Sequence, residues 1–252
     1  MRDPRKLRYH SLRKSQGKFS IFLQTSATNQ LILINIAFFI LVILLLIIFG
    51  EGFFSYIALK PSEVMQGKYL WTLLTSMFMH APGSSIFPFL SFHLIINMFV
   101  LFSLGNLCEK IIGRKRFLSF YLISGIIAGL VFVFFAYLFG SIDPASLSAR
   151  IFSSPEAYAV GASGAIFAIA GLFMILTPKL RFMIIFLPFF SLPAYIMIPL
   201  VLFVTWLVSA GVNIGIGNTA HLGGFLVGLF YALYLRQKYK RKTKLISEYY
   251  SG

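Results

Sequence analysis

Long apolar runs separated by short polar loops dominate the sequence. Six of these runs approach the roughly 20 residues that an α-helix needs to cross a bilayer, and they lie at about 31–49, 89–107, 117–139, 159–177, 194–211 and 219–235. Prolines 188, 193 and 199 interrupt the chain near the fifth run. The fifth helix either starts early with a kink or follows an interfacial segment, and we favour the segment. The pattern predicts an all-α, polytopic membrane protein with six transmembrane helices.

Composition agrees with the pattern. The 252 residues are 58% hydrophobic and 12% charged, and the mean hydropathy is +0.86, which is far from the values of soluble domains. The formal charge of +15 does not indicate nucleic-acid binding, because the basic residues cluster at the ends and in loops and do not form a stripe. The single cysteine, Cys108, excludes an intramolecular disulfide framework.

The basic residues are distributed unevenly about the six predicted spans. With six spans, nineteen of the 22 Lys and Arg residues fall on one side of the membrane, and only Lys60, Lys68 and Arg150 fall on the other. The positive-inside rule then places both termini in the cytoplasm. We expect a basic cytoplasmic N-tail at 1–25, a membrane domain at 26–235 and a basic cytoplasmic C-tail at 236–252.

Four polar positions stand out within or at the edge of the apolar runs: His93, Asn97, Ser163 and His221. In the predicted topology, helices two, four and six all begin at the outer face, so these residues share one depth. Each residue has a structural interpretation, since an intramembrane Ser or Asn often packs or links helices, and a His can serve a proton relay. Their joint depth favours one shared polar site, and His80 in the preceding loop could lie close by.

Small residues accompany the candidate site. Gly161 and Gly164 begin small-xxx-small pairs on helix four, and Gly224 and Gly228 follow His221 on one face of helix six. Close backbone approach of these two helices would bring the His221 imidazole within hydrogen-bond reach of Ser163. On helix three, Gly125 and Gly129 predict a packing notch.

Elimination narrows the possible chemistry. The sequence has no H-E-x-x-H motif, no paired Cys or His at zinc spacing and no aspartate inside a span, so we expect neither a metal nor a cofactor. No glutamate falls in the outer turn of a predicted helix, and a Ser-His-Asp triad therefore lacks its carboxylate. A Ser-His dyad of Ser163 and His221 remains.

A dyad also needs donors that stabilise an oxyanion. His93 and Asn97, four residues apart on one helical face, can both donate. The start of helix four offers backbone N–H groups and the positive end of the helix dipole, so we add Ala162 and Ser163 to the expected oxyanion site.

These residues together resemble the rhomboid family of intramembrane serine proteases. The matching motifs are Gly161-Ala-Ser163-Gly164 for G-x-S-G, His221 with Gly224 and Gly228 for H-x-x-G-x-x-x-G, and His93-x-x-x-Asn97 for H-x-x-x-N. The segments YLWTLLTSMFMH and LGNLCEKIIGRKRFLSFYLISGIIAG add to the likeness, which covers about residues 69 to 232.

The resemblance implies a six-helix rhomboid-like bundle, with Ser163 as nucleophile, His221 as general base and His93 with Asn97 at the oxyanion site. It also implies an aromatic ring packed on the catalytic imidazole, here Phe167, where tyrosine is common. Two features depart from the family pattern. Thr72 follows Trp71 in place of an arginine, and the stretch APGSSIFPFL is inserted between His80 and His93.

The expected function is hydrolysis of peptide bonds in or next to transmembrane helices near the outer leaflet. Its expected partners are the lipid bilayer and membrane-protein substrates whose transmembrane segment is destabilised by Gly or Pro. The alternative is a non-catalytic rhomboid-like protein that binds client transmembrane segments. A transporter is less favoured, because inverted repeats and intramembrane carboxylates are missing. We expect a prokaryotic cell membrane and leave the oligomeric state open.

Overall fold

The computed structural model describes residues 25–82, 91–184, 187–212 and 216–250. The basic N-tail lies almost entirely outside the described residues, as does most of the insertion between His80 and His93. In chain order the described elements are α1 (Ala27–Phe49), α2 (Pro61–Met65), α3 (Thr72–Thr75), α4 (Phe92–Val100), α5 (Asn106–Ile112), α6 (Arg114–Phe139), α7 (Leu147–Phe152), α8 (Ser163–Leu176), β1 (Arg181–Ile184), β2 (Leu187–Pro193), α9 (Ala194–Val212), α10 (Asn218–Lys238) and α11 (Lys240–Tyr249). A 3-10 helix, Glu51–Tyr56, follows α1, and a π-helical turn, Leu101–Gly105, joins α4 to α5.

Four helical segments in the described part of the chain are long and apolar enough to cross a membrane. They are Ala27–Phe49, Phe92–Ile112, Arg114–Phe139 and Ala194–Gly211. Helix α8 is apolar but has only 14 residues, which span about 21 Å at 1.5 Å per residue. The helical membrane architecture is therefore as predicted, whereas the count of six spans is not confirmed and stays a prediction.

The N-terminus of α1 is fixed by a residue from another helix. The Glu109 carboxylate on α5 accepts hydrogen bonds from the backbone N–H groups of Ala27 and Thr28, both at 2.9 Å, and from the Thr28 hydroxyl at 3.0 Å. A carboxylate at this position satisfies free N–H groups and complements the helix dipole. Helix α1 is thereby attached to the end of the α4–α5 segment.

Helix α8 forms the centre of the bundle. Ten of its 14 residues are buried, among them Ala165, Ile169 and Leu172, and it packs against α6, α9 and α10. Large apolar side chains of the surrounding helices are exposed instead, for example Ile48, Phe203 and Phe230. In a bilayer these exposed groups contact lipid, while α8 contacts protein on most of its surface.

The α8–α10 interface brings two backbones into direct contact. A Cβ added to Gly224 would lie 2.9 Å from the carbonyl carbon of Gly164, and one added to Gly228 would lie 2.7 Å from that of Ala168. Both distances are shorter than any ordinary carbon contact, and the neighbouring atom is backbone and cannot rotate away. The glycines are therefore required by this packing, as the small-residue pattern predicted.

The packing notch predicted on the third helix is confirmed, and a loop fills it. An added Cβ on Gly125 of α6 would lie 2.6 Å from the sulfur of Met77. Met77 belongs to the segment between α1 and α4, which also carries α2 and α3. This segment consequently packs against α6, and its position affects the residues at the start of α8.

The segment before α9, the helix predicted as the fifth span, departs from the all-α expectation. Strands β1 and β2 form an antiparallel hairpin in which Arg181 pairs with Pro193 and Met183 pairs with Ser191. Helix α9 begins only at Ala194, so the early start considered for it is wrong. A non-helical segment precedes the helix, and its interfacial position stays a prediction. Proline lacks the N–H that a continuing helix needs, and the chain pairs its backbone groups across the hairpin instead.

The glycine contact yields a test of the fold. Gly224→Ala should lower the free energy of unfolding by about 1–3 kcal/mol or more, because the added methyl group forces the two backbones apart. The matched control is Gly211→Ala on α9, where no described atom lies within 4 Å of the added Cβ. The control should be neutral or stabilising by up to about 1 kcal/mol. Thermal unfolding in detergent compares the two, and equal midpoints would contradict the proposed interface.

Candidate active site

Ser163 is the first residue of α8, and a glycine turn places it there. Gly161 has φ +119°, a conformation that residues with a side chain rarely adopt. Its N–H donates to the Ser76 carbonyl at 2.8 Å, while Ala162 is fully buried. The first N–H groups of a helix have no partner within the helix, so Ser163 lies where backbone donors and the positive end of the helix dipole meet.

His221 meets Ser163 from helix α10. The His221 Nε2 and Ser163 Oγ atoms are 2.8 Å apart, which is hydrogen-bond distance. His221 lies one turn before Gly224, whose backbone contact with Gly164 fixes the register of the two helices. The glycine packing and the Ser-His contact are therefore one geometric arrangement, and the sequence predicted that these two residues would be brought together.

The His221 ring is held by stacking and not by a carboxylate. The Phe167 ring lies 4.4 Å from the imidazole centroid at an interplanar angle of 23°. The Nδ1 atom of His221 is buried and has no hydrogen-bond partner in the described part of the chain. Phe167 is one turn beyond Ser163 on α8, so a single helix supplies both the hydroxyl and the ring that orients its neighbour.

His93 reaches the site from α4, and Asn97 lies one turn further along the same helix. The His93 ring lies against the turn before Ser163, since an added Cβ on Gly161 would be 2.7 Å from His93 Cε1. Asn97 is buried, and its Nδ2 donates to the His93 carbonyl at 2.8 Å. Among the described residues, Ser163 Oγ shares a hydrogen bond with His221 Nε2, and no recorded hydrogen bond joins Ser163 to His93 or Asn97.

The segment after α1 carries a further histidine to the site. The His80 and His93 rings have centroids 5.2 Å apart and are tilted by 60°. His80 is 1% exposed. Burial, with a smaller contribution from His93, lowers the pKa of His80 to about 3. The loop histidine is therefore neutral at physiological pH, and it lies beside the candidate site, as the sequence suggested it could.

Two contacts that the sequence did not reveal attach the same segment to the chain before α8. Leu59 and Ala159 exchange backbone hydrogen bonds of 3.0 and 2.8 Å, and Lys60 pairs with Glu156 at 2.6 Å. That hydrogen bond raises the pKa of Lys60 and lowers the pKa of Glu156. Backbone pairing carries no side-chain signature, and two single charges nearly a hundred residues apart carry no pattern.

These observations define an integral membrane protein with a partly buried Ser-His contact and a further histidine, His93, against the turn before the serine. A family model of the Rhomboid domain matches residues 67–238, which is more than half of the chain. The chain belongs to the Rhomboid family.

Several known proteins are similar in sequence to this chain. The chain is 27% identical to rhomboid protease AarA of Providencia stuartii over 230 residues, which are 85% of this chain and 74% of AarA. It is 30% identical over 154 residues to the mitochondrial presenilin-associated rhomboid-like protein of Homo sapiens, covering 60% of this chain and 36% of that protein. It is 29% identical over 184 residues to RHOMBOID-like protein 5 of Arabidopsis thaliana, covering 72% of this chain and 50% of that protein. The chain thus spans little more than a third of the length of the mitochondrial relatives.

The turn before Ser163 can be tested by adding one methyl group. Gly161→Ala should destabilise the protein through its positive φ, by about 1–3 kcal/mol, and further because the new Cβ displaces the His93 ring. Gly113→Ala is the matched control, since Gly113 has φ +85° and no described atom near its Cβ position. Thermal unfolding in detergent measures the excess loss of Gly161→Ala over the control.

The source of that excess is checked in a second background. If the methyl group clashes with His93, the excess should shrink in a His93→Ala protein. An undiminished excess would show that His93 does not pack against this turn.

Proposed function

We propose that the protein is an intramembrane serine protease that hydrolyses peptide bonds in or next to transmembrane helices of other membrane proteins. The observation that carries this proposal is the 2.8 Å distance between Ser163 Oγ and His221 Nε2, at the partly buried start of a helix. A hydroxyl is a weak nucleophile until a base within hydrogen-bond reach takes its proton. The similarity to a relative named a rhomboid protease supports the same chemistry.

Catalysis follows from the roles of these two side chains. Ser163 Oγ attacks the scissile carbonyl carbon while His221 Nε2 takes its proton. The tetrahedral intermediate collapses, the C–N bond breaks, and the imidazolium returns the proton to the leaving amine. This leaves an ester between Ser163 and the N-terminal fragment of the substrate. A water molecule, deprotonated by His221, then hydrolyses the ester and regenerates Ser163.

The oxyanion requires donors in a medium that solvates charge poorly. We assign this role to His93, to Asn97 and to backbone N–H groups of Ala162 and Ser163. Asn97 uses one amide hydrogen for the His93 carbonyl, and an amide group has a second hydrogen to donate. Donors of this kind typically contribute about 100- to 1000-fold in rate each.

Stacking takes over the orienting task that a carboxylate performs in a triad. The third member of a triad holds the histidine in one orientation. Here the unpartnered Nδ1 of His221 and the stacked ring of Phe167 favour a dyad whose imidazole is held by packing. The glycine contacts below the ring hold its helix in place.

The shortness of α8 supports a site inside the membrane. Its 14 residues cover about 21 Å of a hydrocarbon core that is about 30 Å thick. With its C-terminal end at one boundary, Ser163 would lie roughly 9 Å below the other. We propose that this other boundary is the extracytoplasmic one, because the positive-inside rule places both chain ends in the cytoplasm. Relatives from a bacterium, a plant and animal mitochondria leave the prokaryotic cell membrane a prediction.

We propose substrates whose transmembrane helix is locally unstable. A regular helix hides its carbonyl groups in i to i−4 hydrogen bonds, so the scissile carbonyl becomes accessible only where Gly or Pro disturbs the helix. The lipid bilayer is the second partner, contacted by the exposed apolar side chains of the outer helices.

Reaction with a fluorophosphonate probe, followed by peptide mapping, tests the nucleophile. The wild-type protein should carry the adduct on Ser163, Ser163→Ala should carry none, and His221→Ala should label far more slowly because the base is lost. In liposomes with single-span reporter proteins, the wild type should cleave and Ser163→Ala should not. A folded wild type that neither labels nor cleaves would favour the client-binding alternative.

A further inference from the structure

His80 is a buried imidazole that the proposed mechanism does not use. It is 1% exposed. Neither Nδ1 nor Nε2 has a partner at hydrogen-bond geometry in the described part of the chain, although the Phe78 backbone is close enough to oppose the lowering of the His80 pKa. A buried polar group without a partner costs free energy. Natural structures rarely leave such a group without a bridging water or a role at the site.

The nearest functional group to this imidazole is His93. The two ring centroids are 5.2 Å apart and the planes are tilted by 60°. At this separation and tilt the rings are in tilted contact, and one water molecule beside them can bridge their ring nitrogens. The His93 ring also lies against Gly161, two residues before Ser163. His93 therefore contacts both His80 and the turn that begins α8.

The charge state of His80 suits a bridging role. Burial keeps the pKa of His80 far below neutrality, so the ring carries one N–H donor and one acceptor nitrogen. A neutral imidazole donates from one nitrogen only, and the hydrogen bond at its other nitrogen decides which one that is. A donor on the His80 side would therefore leave the proton of His93 on the opposite nitrogen.

We infer that His80 is a positioning residue for the oxyanion site. Through one water molecule it donates to a ring nitrogen of His93, which holds that ring in the orientation and tautomer whose other N–H points toward the developing oxyanion. His80 touches neither the substrate nor Ser163 and acts through His93. This inference rests on the proposed protease function and extends it to the loop between α3 and α4.

Two His80 variants separate polarity from volume. His80→Leu removes both nitrogens and keeps an apolar side chain of similar bulk, whereas His80→Gln keeps a donor and an acceptor. In liposome cleavage assays His80→Leu should lower kcat by about 10- to 100-fold, the range found for outer-shell partners of functional histidines. KM should be unchanged, and His80→Gln should retain most of the activity.

The matched control is Met79→Leu, at the fully buried neighbouring position, which changes packing without changing a polar group. It should leave kcat unchanged. Thermal unfolding of every variant accompanies the kinetics, because a purely structural role would lower stability and kcat together. Loss of kcat in His80→Leu without loss of stability supports positioning. Unchanged kcat overturns the inference.

A double-mutant cycle identifies the route of the effect. In a His93→Ala background, adding His80→Leu should cost no further activity, because the residue it positions is gone. An equal fold-reduction of kcat in both backgrounds would show that His80 acts independently of His93. If His80→Leu does not fold, the cycle is run with His80→Ala, which also lacks both ring nitrogens, and the expected and contradicting results are the same.

Ser163→Ala is measured alongside these variants. Cleavage that persists in Ser163→Ala would contradict the proposed function itself. Cleavage that depends on Ser163 but not on His80 would contradict this inference alone.

Discussion

The structure depends on the contact between the backbones of α8 and α10. Gly224 faces Gly164 and Gly228 faces Ala168 with no room for a side chain between them. Lipid offers no hydrophobic driving force for helix association, so close van der Waals packing over small residues must supply it. The same contact sets the height of His221 relative to Ser163. Stability of the bundle and geometry of the candidate site therefore depend on the same few atoms.

A second constraint comes from the segment between α1 and α4. Its residues fill the notch on α6 with Met77, pair with the chain before α8 at Leu59 and Ala159, and accept the Gly161 N–H at Ser76. Irregular backbone packed among helices needs partners for its polar groups, and these contacts supply some of them. The turn that presents Ser163 is accordingly supported from a loop as well as from helices.

Much of the site was predictable from the sequence because polar residues are costly in an apolar run. Ser163, His221, His93 and Asn97 were identified in this way, and the glycine spacing indicated which helices meet. The hairpin β1–β2 was not foreseen, since an apolar stretch with prolines shows only that a helix is interrupted. The Leu59–Ala159 pairing and the Glu109 contact with α1 depend on distant backbone groups, which no local pattern records. The number of membrane spans stays open because α8 is shorter than a bilayer and α10 is not among the helices that are apolar enough to cross one.

The central claim is that Ser163 forms a covalent ester with the substrate while His221 serves as its base. Rapid acid quench of a single-turnover reaction in liposomes, followed by mass spectrometry of the protein, measures this directly. The account predicts a transient species heavier than the protein by the mass of the N-terminal substrate fragment, mapped to Ser163 and absent from His221→Ala on the same timescale. Cleavage at full rate with no such species, or with an adduct on another residue, would contradict it.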